Sequence, residues 1–157
     1  MRIGITGHSN LVPSCVPLVR EGILEVLSQV APPLVGVTCL APGADQVFAR
    51  AVLDRGGQVE VVLPALDYRD RLKPHQLAEY DELRARATVV SVLPRLLSGR
   101  QAYVAANERM LASVELLIAV WDGQPAGGRG GTAEVVEEAH ASGVPVEVVW
   151  PDGARRG

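Results

Sequence analysis

The sequence predicts a single three-layer α/β/α domain with a mostly parallel sheet of about six strands. Two observations carry this prediction. Apolar runs of strand length alternate with longer segments of helical period, which is the pattern of βαβ units on a parallel sheet. The chain also has 157 residues, of which 48% are hydrophobic and 21% are charged, and this is enough to form one buried core without disulfides or structural metals.

The elements follow from hydrophobic period and from residues that stop helices. The predicted strands are 2–6, 35–40, 58–63, 87–92, 115–120 and 145–150. The predicted helices are 14–30, 44–55, 75–86, 101–113 and 132–142. Pro32-Pro33, Gly56-Gly57 and Gly143 each lie between a helix and the next strand, where such residues are expected. The resulting fold class is Rossmann-like.

Domain organisation is simple. One domain is predicted over residues 1–151, and residues 152–157 are expected to form a flexible C-terminal tail. The Pro and Gly pairs separate elements within this domain and mark no linker, and the sequence shows no internal repeat.

Composition restricts the function classes. The net charge is −3 at pH 7 and Lys and Arg are scattered, so nucleic acid is not expected as the main partner. Cys15 and Cys39 lack metal-ligand spacing, which predicts a reducing compartment and no metal site. No apolar run approaches the ~18 residues of a membrane span, so we expect a cytoplasmic protein that does not bind membranes.

Three loops after predicted strands contain glycine and polar residues. Ligands of open parallel sheets bind beyond the carboxyl ends of the strands, so these loops are the candidate site. They are Thr6-Gly7-His8-Ser9-Asn10 after the first strand, Ala41-Pro42-Gly43-Ala44-Asp45 after the second, and the segment from Asp122-Gly123 to Gly128-Arg129-Gly130-Gly131-Thr132 after the fifth.

The loop after the fifth strand has the strongest local signal. Gly128, Gly130 and Gly131 precede Thr132 at a helix start, where backbone N–H groups and the helix dipole favour an anion. The alternative is a surface loop with Thr132 as an ordinary N-cap, and this loop alone does not separate the two. The other two Gly-containing loops at the same sheet edge favour binding.

Polar residues in the other two loops have two interpretations each. The first loop lacks the G-x-G-x-x-G fingerprint, which disfavours an ordinary NAD dehydrogenase. His8 could contact a phosphate or transfer protons, although a lone loop histidine is more often solvated or capping. Asp45 is expected to cap a helix, with a ribose or base contact as the alternative. Asn107 and Glu108 lie in a helical segment, where a polar pair is usually solvated.

Together these motifs resemble the SLOG superfamily of Rossmann-like nucleotide-binding proteins, which includes the DprA/Smf and Lonely Guy (LOG) proteins. The resemblance is carried in order by segments 3–8, 40–45, 107–111, 117–123 and 128–132. It implies a nucleotide or nucleotide-derived ligand such as AMP, ADP-ribose or an NAD-like molecule, held over the first-strand loop and the Gly-rich loop. It also implies a homodimer or higher homo-oligomer, with Asn107 and Glu108 facing the ligand.

The resemblance also raises the question of catalysis. LOG phosphoribohydrolases carry P-G-G-x-G-T-x-x-E, but Val135 stands where that pattern has Glu, and Glu134 is one position early. One helical residue is a rotation of about 100°, so we expect Glu134 to point away from the site. The Arg-Lys pair of that family falls on Ala106-Asn107, and Arg109 lies one turn further on.

The function predicted from sequence is therefore non-catalytic nucleotide binding of the sensor or carrier type. The alternative is N-glycosidic hydrolysis of nucleoside monophosphates, with Glu134 or Glu108 acting beside Arg109. A structural or partner-binding protein is a third alternative, less favoured because Gly-rich loops offer no flat apolar surface.

Overall fold

The computed structural model describes residues 1–125 and 131–157. It contains six parallel strands in the order β4-β3-β2-β1-β5-β6. The strands are β1 (Arg2–Gly7), β2 (Val35–Thr38), β3 (Gln58–Leu63), β4 (Val89–Val92), β5 (Leu116–Val120) and β6 (Val146–Val149). The strand order reverses between β1 and β5, and this is the switch point at which ligands of such sheets bind.

In the described part of the chain, five α-helices cover the two faces of the sheet. They are α1 (Val16–Ser28), α2 (Ala44–Asp54), α3 (Leu77–Ala85), α4 (Arg100–Ala112) and α5 (Thr132–Ala141). Helices α1 and α2 pack on the face that carries Ile3 and Ile5, and α3 packs beside α2. Helices α4 and α5 pack on the opposite face, which carries Val37 and Leu117. The predicted three-layer Rossmann-like fold is therefore confirmed.

Glycine at position 4 allows close packing between β1 and α4. Alternation along β1 directs Ile3 and Ile5 to one face, so position 4 points to the other. A Cβ atom at Gly4 would lie 2.3 Å from the sulfur of Met110, which is fully buried in α4. The missing side chain is therefore what lets this helix approach the central strand.

Several elements are shorter than predicted, for local reasons. Strand β2 ends at Thr38 and not at residue 40, because the Thr38 hydroxyl accepts a hydrogen bond from the Leu40 N–H and Leu40 adopts a φ of 56°. The predicted first turns of α1 and α3 are instead 3-10 turns, Pro13–Cys15 and Pro74–Gln76. Proline at the start of each turn supplies no N–H for a helical hydrogen bond.

Residues 152–157, the predicted C-terminal tail, pair with the loop after β1. The carbonyl of Arg155 accepts a hydrogen bond from the Val12 N–H at 2.9 Å, and the Gly157 N–H donates to Asn10 at 2.8 Å. Leu11 and Arg156 form an antiparallel bridge. The side-chain pattern of this short polar segment gave no sign of the pairing because backbone atoms make these contacts.

Within residues 1–125 and 131–157, no helix combines the length and the apolar character that crossing a bilayer requires. No three His, Cys, Asp or Glu side chains in that part of the chain are grouped as a metal site would need.

Candidate functional site

A cleft of about 890 Å³ opens at the carboxyl ends of the strands, at the switch between β1 and β5. The loops after β1 and β2 and the start of α5 meet there because all strands are parallel. The residues expected to bind a ligand that do line the cleft are Thr6, Gly7, His8, Ser9, Asp45, Asn107, Gly131 and Thr132. Its volume suits a nucleotide-sized ligand.

Gly43 and Ala44 do not line the cleft and instead fix the loop after β1 against α2. The Ala44 N–H donates to the carbonyl of His8 at 3.2 Å. Gly43 has a φ of 82°, and a Cβ atom there would lie 2.6 Å from that same carbonyl oxygen. A Cβ atom at Gly7 would likewise lie 2.4 Å from the Ala44 Cβ. These residues therefore shape the cleft through packing.

Asp45 is a buried carboxyl group in the wall of the cleft. One carboxylate oxygen accepts hydrogen bonds from the Thr38 hydroxyl at 2.9 Å and from the Cys39 N–H at 3.2 Å. Burial raises the pKa of Asp45 to about 6, although these hydrogen bonds and one from the backbone of Ala41 oppose the rise. Asp45 therefore braces the loop after β2 in addition to facing the cleft.

His8 joins the loop after β1 to the loop after β5. Its Nε2 accepts a hydrogen bond from the backbone N–H of Asp122 at 3.3 Å, and its ring packs edge-on against Trp150 with centroids 5.4 Å apart. Burial lowers the pKa of His8, and the nearby Arg156 lowers it further, although Asp122 opposes the change. The imidazole is therefore an acceptor that stabilises the two loops in their relative position.

Asp122 and Gly123 lie beside the cleft and are not part of its lining. The Asp122 carboxylate pairs with Nε of Arg156 at 2.8 Å and accepts the Gln124 N–H at 3.0 Å. Burial opposes ionisation, but this N–H, His8 and Arg156 outweigh it and lower the pKa of Asp122. Gly123 provides a turn with a φ of 80°. The ion pair with Asp122 orients Arg156, and Arg156 lines the cleft although Asp122 does not.

The start of α5 points its first turn at the cleft. Gly131 is the N-cap residue and Thr132 is the first helical residue, so Thr132 is not the N-cap that the alternative interpretation assumed. Gly131, Thr132 and Ala133 all line the cleft, and the first N–H groups of a helix have no acceptor within it. Gly128 and Gly130 lie outside the described residues.

Helix α5 presents Val135 to the cleft and turns Glu134 aside. Val135 is among the lining residues, whereas a carboxylate oxygen of Glu134 lies 3.6 Å from a guanidinium nitrogen of Arg100 on α4. The rotation of about 100° between neighbouring helical residues separates the two side chains. The position at which the hydrolase pattern has Glu is therefore apolar in this cleft.

Helix α4 separates Asn107 from Glu108 in the same way. Asn107 lines the cleft, but Glu108 lines a second, smaller depression together with Glu115 and Glu138. The two residues therefore lie at different depressions, because the rotation of about 100° between them turns Glu108 away from the cleft that Asn107 lines. Arg109 is exposed and is not among the residues that line the cleft.

The largest omission from the sequence-based site is the segment between β3 and α3. Arg71, Lys73 and Gln76 from this segment line the cleft, as do the aromatic rings of Tyr103 and Trp121. This segment also follows a parallel strand, so its position was the signal that could have found it. The segment contains no glycine, the feature that marks the three predicted loops.

Solved structures of other proteins share the fold of this chain. No protein-family model matches the chain, and no curated protein matches its sequence. Solved structures do match. The chain shares its fold with DNA processing protein A (DprA) from Streptococcus pneumoniae, at a TM-score of 0.70 and 18% identity, over 94% of this chain and 49% of that one.

Two further structures extend this result. DprA from Helicobacter pylori matches with a TM-score of 0.65 and 16% identity, over 94% of this chain and 64% of the DprA chain. That structure is described as showing how this DprA binds single-stranded DNA. The protein TM1055 matches with a TM-score of 0.59 and 18% identity over 92% of this chain and 71% of its own. The chain thus spans about half to two thirds of the length of the two DprA proteins. These matches show that the chain shares the fold of these three proteins.

The expected exclusion of nucleic acid as a main partner is contradicted. The fold is shared with a protein described by its binding of single-stranded DNA, so net charge does not exclude nucleic acid as a partner for this fold. Net charge averages over the surface, whereas a ligand responds to the local field. The described residues that line the cleft include Arg71, Lys73 and Arg156 but a single carboxylate, Asp45.

Proposed function

We propose that this protein binds a nucleotide in the cleft, as a sensor or carrier and without catalysis. The observation that carries the proposal is that the first residues of α5, Arg156 and Trp121 all line one cleft. A nucleotide has groups that suit all three: its phosphate suits the helix start and Arg156, and its flat base suits Trp121. The nucleotide is either a free molecule, such as AMP, ADP-ribose or an NAD-like compound, or a unit of a single-stranded nucleic acid.

The phosphate fits the start of α5. The N–H groups of Thr132 and Ala133, the first two residues of α5, have no acceptor within the helix, and together with the helix dipole they favour an anion there. Arg156 lies in the same cleft and is held by Asp122, so its position is set before the ligand arrives. Ser9 adds a hydroxyl group from the loop after β1. A phosphate bound here would be stabilised by the dipole of α5 and would accept a hydrogen bond from the charged Arg156.

The base and sugar fit the wall formed by the loop after β5 and by α4. Trp121 is half-buried and its Nε1 donates to the Gln124 carbonyl at 2.9 Å, which orients the ring beside the cleft. Stacking on an aromatic ring stabilises a bound base by roughly 1–3 kcal/mol. The Asn107 side chain has both donors and an acceptor, so it can hydrogen-bond a base edge or a ribose hydroxyl.

Binding is better supported than hydrolysis. Cleavage of a glycosidic bond by the LOG scheme needs a carboxylate at the position where this cleft has Val135. Glu134 is beside Arg100, and Glu108 lines the second depression. Asp45 does reach the cleft, but one of its carboxylate oxygens accepts hydrogen bonds from the Thr38 hydroxyl and the Cys39 N–H, which commits it to bracing the end of β2.

Calorimetry with AMP, ADP-ribose, NAD and a 5′-phosphorylated single-stranded hexadeoxyadenylate tests the proposal. We expect at least one of them to bind, and adenosine, which lacks phosphate, to bind more weakly than AMP. Arg156→Gln should weaken AMP binding about tenfold, since a hydrogen bond to a charged group contributes roughly 1.5–3 kcal/mol. Arg109→Gln is the matched control, because Arg109 is exposed and away from the cleft.

The ligand panel also identifies the source of the nucleotide. Tighter binding of the hexanucleotide than of every free nucleotide would indicate single-stranded nucleic acid, and the reverse order would indicate a small molecule. The absence of binding by all four compounds at millimolar concentration would overturn the proposed function.

A further inference from the structure

The segment between β3 and α3 brings two cationic side chains into the cleft that the proposed function does not use. Arg71 and Lys73 both line the cleft from residues 69–76, which contain the 3-10 turns Arg69–Arg71 and Pro74–Gln76. Arg69 anchors this segment through a two-point pair with Asp81 on α3, at 2.9 and 2.7 Å. The two cations are therefore carried by a braced segment.

Arg71 is oriented by a carboxylate that is itself held in place. Its Nε donates to Asp67 at 3.1 Å, and the other oxygen of Asp67 accepts both the N–H and the hydroxyl of Ser98 at 2.6 Å. The hydrogen bond from the Ser98 hydroxyl lowers the pKa of Asp67, so this carboxylate stays ionised. Among residues 1–125 and 131–157, Arg71 is paired through Nε alone, which leaves its Nη groups as donors for a ligand.

Lys73 provides a second charge at the same end of the cleft. Within residues 1–125 and 131–157, Lys73 has no carboxylate within 4.0 Å. An ammonium group that lines a cleft without a counter-ion favours an anionic ligand group.

The two cationic ends of the cleft are well separated. Strand β3 lies two positions from β1 and three from β5 in the sheet. Neighbouring strands are about 4.8 Å apart, which places the segment after β3 roughly 10–14 Å from the loops that hold the first phosphate. The two sets of cations are therefore carried by opposite ends of the cleft, and this separation of their backbones favours a ligand with two separate phosphates.

An aromatic ring lies beside the second cationic end. Tyr103 on α4 lines the cleft, and its ring packs edge-on against Tyr68 with centroids 6.4 Å apart. Tyr68 directly precedes the turn that carries Arg71. Tyr103 is 38% exposed, so it can stack on a second base next to this end.

We propose that Arg71 and Lys73 form a second phosphate subsite, and that the preferred ligand is two nucleotides joined by a 3′,5′-phosphodiester. Such a ligand carries phosphates on both sides of a nucleoside, as the separated cations require, whereas the two phosphates of NAD are adjacent. This proposal rests on the proposed function and names its ligand class. A free dinucleotide and a single strand share this chemistry.

A series of ligands of increasing length tests the second subsite. Calorimetry would compare dAMP, the 5′-phosphorylated dinucleotide d(pApA), the hexanucleotide d(pA)6 and NAD. We expect d(pApA) to bind at least tenfold more tightly than dAMP, and NAD to show no such gain. Equal affinity of d(pApA) and d(pA)6 would identify a dinucleotide ligand, and a further gain for d(pA)6 would identify a strand.

The double variant Arg71→Gln/Lys73→Gln separates this proposal from the proposed function. Both side chains are exposed, so the fold should be retained, and unchanged thermal melting checks this. We expect dAMP affinity to stay within about twofold while the advantage of d(pApA) disappears; Arg109→Gln should change neither.

Salt dependence supplies an independent measurement. The affinity of d(pApA) should fall more steeply with salt than that of dAMP, because an additional phosphate contact releases additional counterions, and this difference should vanish in the double variant. If d(pApA) binds no more tightly than dAMP, or if the double variant keeps its advantage, the second subsite is wrong while nucleotide binding stands. If none of the ligands binds, the proposed function fails and this proposal fails with it.

Discussion

The imidazole Nε2 of His8 and the backbone N–H of Asp122 form a 3.3 Å hydrogen bond between the loops after the two central strands β1 and β5. These two loops form opposite sides of the switch point at which the cleft opens. The bond requires a neutral imidazole, because a protonated ring has no acceptor. The integrity of this side of the cleft therefore depends on pH.

The first prediction concerns that pH dependence. The pKa of His8 is lowered in the folded protein, so the unfolded chain binds a proton first as pH falls. The stabilisation by His8 is therefore complete well above pH 6.5 and is lost as pH falls from there through the folded pKa. We expect His8→Gln to lower the free energy of unfolding by about 1 kcal/mol at pH 7.5, where a hydrogen bond is weakened, and by less at pH 5.5.

Urea unfolding of both proteins at the two pH values measures this difference. His75→Gln, at an exposed histidine, controls for the general effect of replacing a histidine. A cost of His8→Gln that grows on acidification would contradict the assigned direction of the pKa shift.

The second prediction concerns Asp45, whose pKa is raised from 3.8 to about 6 by burial. The folded protein holds this proton to a higher pH than the unfolded chain, so its contribution to stability is greatest below pH 3.8 and is lost as pH rises to about 6. Asp45→Asn cannot titrate. The free energy of unfolding of the variant relative to wild type should therefore increase from pH 5 to pH 8.

Chemical denaturation at pH 5 and pH 8 provides the measurement, with Asp152→Asn at an exposed position as the control. The sign of the change is the test. A relative stability of Asp45→Asn that decreases toward pH 8 would show that Asp45 is ionised more easily in the folded protein than in the unfolded chain.

The third prediction separates packing from ligand contact at Gly7. A Cβ atom there would lie 2.4 Å from the Ala44 Cβ and 2.8 Å from the Val120 Cβ, and atoms so close to the backbone cannot move aside cheaply. We expect Gly7→Ala to destabilise the fold by about 1–3 kcal/mol. Gly99→Ala, where an added Cβ meets no atom within 4 Å, should stay within about 0.5 kcal/mol of wild type. Thermal unfolding compares the two, and equal stability of both variants would refute the close approach.

The fourth prediction concerns the carboxylates of α4 and α5. Glu134 and Glu108 do not line the cleft, so Glu134→Ala and Glu108→Ala should each leave nucleotide affinity within about twofold. Wild-type protein should release no adenine from AMP above the rate of a buffer blank, as measured by chromatography. Turnover that Glu134→Ala abolishes would establish the hydrolase alternative, and a large loss of affinity in Glu108→Ala would place that residue at the ligand.

Much of the fold was accessible from the sequence because its evidence is local. Strand-length apolar runs and helical period identified every strand and all five helices, with errors of a few residues at the ends. Those errors arose where a side chain competes with the backbone, as at Thr38, or where proline tightens a first turn, as at Pro13 and Pro74. The loops at the strand ends could likewise be found, since an all-parallel sheet brings them to one edge.

The contents of the cleft depended on tertiary structure. The sequence predicts that Asn107 and Glu108 both face the ligand. In the folded protein, the packing of α4 places Asn107 at the cleft and Glu108 at the second depression. Arg156, assigned to a tail, reaches the cleft because backbone pairing of the last residues brings it there.

Charge shows the same division between sequence and structure. The net charge of −3 belongs to the chain as a whole, whereas the cations that face the cleft, Arg71, Lys73 and Arg156, come from segments far apart in sequence. Hydrophobic periodicity records which face of an element is buried, so the sequence by itself determined the layers and the edge at which a site would form. Which polar side chains meet there was decided by long-range packing, because no local pattern encodes the distance between residues 71 and 156.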